Sequence, residues 1–190
     1  MQTEERTDEQ LMQALAQGDR AGFDELFLRY RQRIYAFYRR RTLDQSRAED
    51  LTQETFLALL RAAGRYRPQA PFRTYLFAIA FRILGSERRR AAIRAFFFLP
   101  NVNTEPTRIE PRAEILWLKQ GLSRLEKSDR ELMMLREFEQ LSYAEIAELL
   151  RLPINTVRSR LFRARMALRE KLEGIPTGIE SVSVEKGDRA

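Results

Sequence analysis

Arg158, Ser159, Phe162 and Arg163 fall within six residues. At about 100° per residue they share one side of a helix. Such a side could do the chemistry of base recognition. A guanidinium fork matches the acceptor edge of guanine, a serine hydroxyl meets either kind of edge, and an aromatic ring can touch a thymine methyl. The opposite side holds Val157, Leu161, Ala164, Leu168 and Leu172, spaced four, three, four and four, which is one apolar stripe. The bland alternative is an ordinary α-hairpin with a solvated arginine face.

Two further groupings could bind rather than catalyse. In the run after Gln45, Asp50, Gln53, Glu54, Leu57 and Arg61 fall on one helical side, against Leu51, Thr55, Phe56, Leu59, Ala62 and Ala63 on the other. A leucine set among carboxylates is an apolar anchor in a polar rim, the pattern of a small protein interface; taken alone it is better explained as an isolated surface leucine. Further on, Tyr66, Phe72, Tyr75, Phe77 and Phe81 interleave with Arg65, Arg67, Arg73, Arg82 and Arg88–Arg90. Rings that stack on bases and arginines that hold phosphates are the means of gripping a single strand. Phe72 and Phe81 are better explained as core. Tyr66 and Tyr75 are expected at the surface, since a hydroxyl tolerates water.

Other chemistries are excluded by what is missing. The chain has neither Cys nor His, so thiol and imidazole catalysis, disulfides and Cys/His zinc sites are ruled out. No glycine-rich phosphate loop occurs. No enzyme activity, cofactor or metal is expected. The first 20 residues are polar and acidic, and no apolar run, Ala95–Pro100 included, approaches about 20 residues. No signal peptide and no membrane-spanning segment are therefore expected.

Helices must position these groups. Phe23, Leu26, Phe27, Tyr30, Ile34 and Phe37 recur at helical spacing, as do Ile115, Leu118, Leu122 and Leu125. Ser46…Glu49, Ser128…Glu131 and Ser142…Glu145 have the form of capping boxes, and Asn155 that of an N-cap. Helices are predicted near 9–17, 20–41, 47–63, 72–92, 112–125, 129–139, 143–150 and 155–173, an all-α protein. Pro100, Pro106 and Pro111 cannot lie within a helix. They divide the chain into an N-terminal helical unit (1–95), a linker (96–112), a C-terminal unit (113–174) and a polar tail (175–190).

The 190 residues include 34 Lys and Arg against 27 Asp and Glu, a net charge of +7. Only Lys119, Lys127, Lys171 and Lys186 are lysines, leaving 30 arginines. The charge is segregated. Residues 1–92 carry 17 basic and 12 acidic groups, 126–148 three basic and seven acidic, and 151–171 seven basic and one acidic. A basic segment beside an acidic one suggests a nucleic-acid-binding element on a support of opposite sign.

Leu141-Ser-Tyr-Ala-Glu-Ile-Ala-Glu-Leu-Leu150, followed by Thr156-Val-Arg-Ser-Arg-Leu-Phe-Arg-Ala-Arg165, reads as a helix-turn-helix. With Asp50-Leu-Thr-Gln-Glu-Thr-Phe56 and Phe72-Arg-Thr-Tyr-Leu-Phe77 upstream in this order, the chain resembles the extracytoplasmic-function (ECF) sigma factors of bacterial RNA polymerase, of the sigma-70 family. The resemblance spans residues 10–173. It implies an initiation factor and not an enzyme, at work in the cytoplasm. Its partners would be core RNA polymerase, through the clamp coiled coil of the largest subunit and the flap, and promoter DNA as duplex and as non-template single strand. An anti-sigma factor would be a further partner. Asp50, Gln53, Glu54 and Leu57 would dock on the coiled coil. Tyr66, Arg73, Tyr75 and Arg82 would capture the −10 element. Thr156, Arg158, Ser159, Phe162 and Arg163 would read the −35 element.

The sequence departs from the family pattern in places. Arg151 stands where the turn of the motif usually has Gly. A left-handed backbone would cost it about 1 kcal/mol or more, so a rebuilt turn is expected. Arg82 stands where Asn is frequent in the family; the resemblance implies that a base of the −10 element is flipped into a pocket here, and Arg82 leaves its identity open. The segment 93–112 carries three Arg and two Glu and is not acidic. Phe96–Phe98 are expected to extend the preceding helix. The competing class is a stand-alone helix-turn-helix regulator, which would need a dimer interface or an acidic receiver domain; neither is seen in the sequence.

Overall fold

The computed structural model describes residues 6–42, 44–68, 70–97, 121–122 and 125–173. Its helices are α1 (Asp8–Ala16), α2 (Arg20–Arg39), α3 (Gln45–Ala62), α4 (Phe72–Phe97), α5 (Lys127–Glu137), α6 (Tyr143–Leu150) and α7 (Ile154–Glu173). A 3-10 turn, Ala63–Arg65, follows α3. No strand occurs among the described residues, in keeping with the all-α reading. The helix expected near 112–125 falls largely outside these residues, and so do most of the linker, Phe98 and the tail.

Helices α1 to α4 form one packed unit. Leu11 and Met12 of α1, Leu26, Ile34 and Phe37 of α2, Leu51 and Leu59 of α3, and Phe72, Leu76 and Phe77 of α4 are all buried. Leu26, Ile34 and Phe37 are part of the apolar spacing that predicted α2. Tyr38 brings a polar tie into this core: its hydroxyl lies 2.7 Å from Thr55 Oγ1 and donates to the Ala80 carbonyl at 3.1 Å, linking α2, α3 and α4. Buried hydroxyls need such partners. A Cβ on Gly22 would lie 2.6 Å from the Leu11 carbonyl oxygen, so glycine alone lets α2 lie this close to α1.

Helices α5 to α7 form a second unit around Leu132, Leu135, Leu141, Ile146, Val157, Leu161 and Ala164, all buried. The stripe expected on α7 thus faces inward through Ala164, with Leu168 half-buried.

The capping chemistry differs from expectation at three helices, α3, α5 and α7. Ser142 and Glu145 form the expected box on α6. At α3 the cap is instead Asp44, whose carboxylate accepts the Ser46 amide at 2.9 Å, while Glu49 accepts from Gln45 at 3.1 Å. At α5, Ser128 donates to Glu126 at 2.9 Å, and Glu131 is drawn away to Arg41 at 2.7 Å. A further box, Thr7 with Gln10, starts α1. Helix α7 begins at Ile154, which places Asn155 in its first turn and not at the cap.

Candidate nucleic-acid interface

The α6–α7 pair presents the first candidate surface. Arg151, between the two helices, adopts φ 54° and ψ 46°. Its amide donates to the Glu148 carbonyl at 3.2 Å, and the Leu152 amide donates to the Ala147 carbonyl at 2.9 Å. These two bonds are the Schellman ending. The turn is therefore not rebuilt around Arg151; the side chain tolerates the left-handed region that glycine would occupy without strain.

Beyond this turn Arg158, Ser159, Phe162 and Arg163 are exposed, Phe162 at 65%. Thr156 is half-buried, and its carbonyl accepts from the Ser159 hydroxyl at 3.1 Å. The flanking arginines are already engaged. Arg160 binds Asp129 at 2.9 and 2.6 Å, and Arg165 binds Glu137 at 2.7 Å and the Tyr143 hydroxyl at 3.2 Å. Arg158 and Arg163 are left facing solvent.

On α3, Asp50, Gln53 and Glu54 are exposed and Leu57 is half exposed at 50%. Leu60, one turn on, adds apolar surface. Glu87 of α4 pairs with Arg47, whose Nη1 lies 3.6 Å from Asp50. Asp50 and Glu54 thus keep a solvent-facing acidic rim around Leu57.

The third surface differs from expectation at Tyr66. Its ring is buried, 6% exposed, and packs edge-on against Phe72 at 6.4 Å and Tyr75 at 5.1 Å between centroids. Its hydroxyl has no hydrogen-bond partner among the described residues, and burial pushes its pKa up. The expectation of an exposed Tyr66 fails because the turn after α3 folds its ring under α4. Tyr75 is half-buried and Arg82 exposed. They line a cleft of about 580 Å³ with Arg65, Arg67, Thr74, Phe81, Glu148, Leu149 and Arg151. Phe72 is core, as expected; Phe81 is only half-buried, on the cleft wall.

Arg73 meets protein here. Its Nη2 lies 2.9 and 2.8 Å from the two carboxylate oxygens of Glu145, and Thr74 donates to the same carboxylate at 2.8 Å. Burial would raise the pKa of Glu145, but hydrogen bonds from the Ser142 amide, Arg73, the Ser142 hydroxyl and Thr74 outweigh it and hold the group at about 2. A second cluster lies between the units. Arg41 binds Glu131 at 2.7 Å and Glu139 at 2.9 Å, Arg40 binds Glu139 at 2.8 Å, and Arg41 stacks over Phe37 at 3.9 Å. The sequence reading missed Arg40, Arg41 and Glu139, and took Glu131 and Glu145 as capping residues only; the charge segregation of 126–148 was the only signal that bore on their pairing with the arginines.

Among the described residues no group of acidic side chains is placed to hold a metal, and no helix is long and apolar enough to cross a membrane. The described residues fold as two helical units, the second a helix-turn-helix. Residues 26–93 match the model of sigma-70 region 2, and residues 115–168 match that of sigma-70 region 4. The chain is 36% identical over 189 residues to the RNA polymerase sigma-H factor of Pseudomonas aeruginosa, covering 91% of this chain and 97% of the relative. It is 29% identical over 185 residues to the ECF RNA polymerase sigma-E factor of Haemophilus influenzae, covering 90% and 97%. In structure it resembles CnrH, solved with the cytosolic domain of CnrY, at a TM-score of 0.67 and 26% identity over 87% of this chain and 97% of CnrH. It shares a fold, at a TM-score of 0.64 and 24% identity, with the sigma factor RpoE solved with the anti-sigma factor NepR from Bartonella quintana; the match covers 80% of this chain and 97% of RpoE. The chain belongs to the ECF sigma factors of the sigma-70 family.

Proposed function

We propose that this alternative sigma factor recruits core RNA polymerase to its own promoters through three separate surfaces. Residues 1–95 form the region 2 unit, 96–112 the linker, 113–174 the region 4 unit and 175–190 a tail. The exposed α3 face of Asp50, Gln53, Glu54 and Leu57 docks on the clamp coiled coil of the largest subunit, and the region 4 unit sits toward the flap. Tyr75 and Arg82, with Arg73 beside them, take the non-template strand of the −10 element, and Tyr66 braces Tyr75 from beneath. Extruding a base costs a few kcal/mol, which ring stacking and the surrounding arginines offset. On α7, Arg158, Ser159, Phe162 and Arg163 face the −35 major groove, with Thr156 at the near edge.

The polymerase performs the chemistry, and the chain acts as a non-enzymatic specificity factor in the cytoplasm. An anti-sigma protein is a proposed partner, as the two structural relatives were each solved with a second protein.

One observation carries this reading: α7 ties Arg160 and Arg165 to carboxylates of its own unit while leaving Arg158 and Arg163 exposed on the side opposite Val157 and Leu161. In-vitro transcription on a promoter library, with and without core polymerase, tests it. Promoter opening should require both components. Tight duplex binding by the chain alone, with no polymerase-dependent opening, would favour the stand-alone regulator instead.

A further inference from the structure

Helix α1 precedes residues 26–93, the part matched to region 2, yet it holds the start of α4. Glu9 Oε1 accepts the Phe72 amide at 2.9 Å, from 63 positions away. Phe72 is the first residue of α4. The opening amides of a helix have no carbonyl of their own helix to donate to, and a side chain just before the helix usually serves one of them. Pro71 stands in that place and offers no side-chain acceptor. Glu9 therefore caps α4 from another helix, and its charge suits the positive end of the helix dipole.

The cap sits beneath a strand-capture side chain. Phe72 is fully buried, and its ring meets Tyr30 edge-on at 5.4 Å and Tyr66 edge-on at 6.4 Å. Asp8, beside Glu9, accepts from the Tyr30 hydroxyl and, at 2.8 Å, from Arg29. Tyr66 in turn packs against Tyr75 at 5.1 Å. Burial first, and then the Glu9 carboxylate, push the Tyr66 pKa up, so Glu9 and Tyr66 are neighbours. Tyr75 is the fourth residue of α4 and stands in the turn that Glu9 closes. Helix ends fray first, and fraying of this turn would release Tyr75 from its place on the cleft wall.

We propose that Glu9 is a positioning residue for strand capture: by capping α4 from α1 it keeps the first turn of that helix wound and fixes Tyr75 in the geometry that receives the non-template strand. Glu9 acts through the Phe72 amide and does not itself meet the DNA. The proposal rests on the strand-capture function assigned above to Tyr75 and Arg82.

Glu9→Asp and Glu9→Gln test it in the full-length chain with core polymerase. Asp keeps the charge but is one methylene too short to reach the Phe72 amide, whereas Gln keeps the reach and offers a neutral acceptor. Both leave the Thr7–Gln10 box of α1 in place, and thermal melts check the fold. Permanganate footprinting reads promoter opening, and competition with wild type reads core polymerase binding. Glu9→Asp should lower opening about fivefold, the scale of one hydrogen bond, and Glu9→Gln should stay within about twofold of wild type. Competition for core polymerase should not change in either. The loss from Glu9→Asp should largely vanish in a Tyr75→Ala background, because two changes that act through one contact do not add; a carboxylate that merely stabilised the fold would multiply with Tyr75→Ala. Normal opening by Glu9→Asp overturns the proposal. So does Glu9→Gln as impaired as Glu9→Asp, or a loss that persists in full beside Tyr75→Ala, provided Tyr75→Ala alone impairs opening; strand capture then stands and the positioning role falls. Opening indifferent to Tyr75→Ala overturns strand capture by this ring, and the proposal with it.

Discussion

Arg160 of α7 holds Asp129 of α5, its Nε and Nη2 lying 2.9 and 2.6 Å from the same carboxylate oxygen, Oδ1. The ion pair locks the exposed helix to its support and removes one arginine from the DNA-facing set. Arg160→Ala should cost about 1–2 kcal/mol of stability and leave sequence preference intact.

By contrast, Arg158→Ala and Arg163→Ala should leave stability nearly unchanged. Transcription measured across all single-base variants of the −35 element separates their roles. A base reader loses preference at one position, worth about 1–3 kcal/mol, while a phosphate contact scales every variant down together. Unchanged preference profiles for both variants would remove α7 from the reading role.

For the α3 face, Asp50→Lys with Glu54→Lys should weaken competition for core polymerase without altering the melting temperature, as both side chains are exposed. Leu57→Ala should weaken it further through loss of the apolar anchor. Normal competition by the double charge variant would place the polymerase contact elsewhere.

Tyr66 and Arg82 should behave differently. Tyr66→Phe deletes a buried hydroxyl that has no partner among the described residues, so stability should change by less than about 1 kcal/mol, and opening should survive. Tyr66→Ala should cost about 3 kcal/mol through the cavity it leaves. Arg82→Ala and Tyr75→Ala should keep the fold and lower promoter opening about tenfold, the scale of one lost stacking contact. Permanganate footprinting reads the opening and thermal melts the fold.

Arg151→Gly should raise stability by about 1 kcal/mol, because φ 54° is strained for any side chain and free for glycine. Arg151→Ala keeps the strain and should give no such gain. Thermal denaturation of the pair checks the attribution.

Acid should loosen the contact between α4 and α6. Glu145 is held at about 2, against 4.5 for an ordinary carboxylate. Its contribution is fully present above about pH 4.5 and is lost as pH falls toward 2, at most about 3 kcal/mol. Part of it belongs to the Ser142 cap and part to Arg73 and Thr74. Melting temperatures between pH 7 and 3 should fall more steeply for wild type than for Glu145→Gln; parallel curves would show that this carboxylate is not specially held.

The sequence by itself determined what local periodicity carries. The spacing of Val157, Leu161 and Ala164 placed Arg158, Ser159, Phe162 and Arg163 outward, and Ser142 with Glu145 marked the start of α6, because a helix turns every 3.6 residues whatever lies around it. The α3 face was legible for the same reason. The ends of α3 and α5 were less so, as Ser46 and Ser128 each had a nearby competitor, Asp44 and Glu126. Only the tertiary structure decided the fate of Tyr66, whose burial depends on a turn that brings its ring beneath α4. It also decided the pairing of Arg73 with Glu145, of Arg41 with Glu139 and of Arg40 with Glu139, across 72, 98 and 99 positions. An ion pair imposes no spacing on the sequence; it requires only that folding bring two charges together. The segregation of acid and base along the chain therefore announced an attraction without naming its partners.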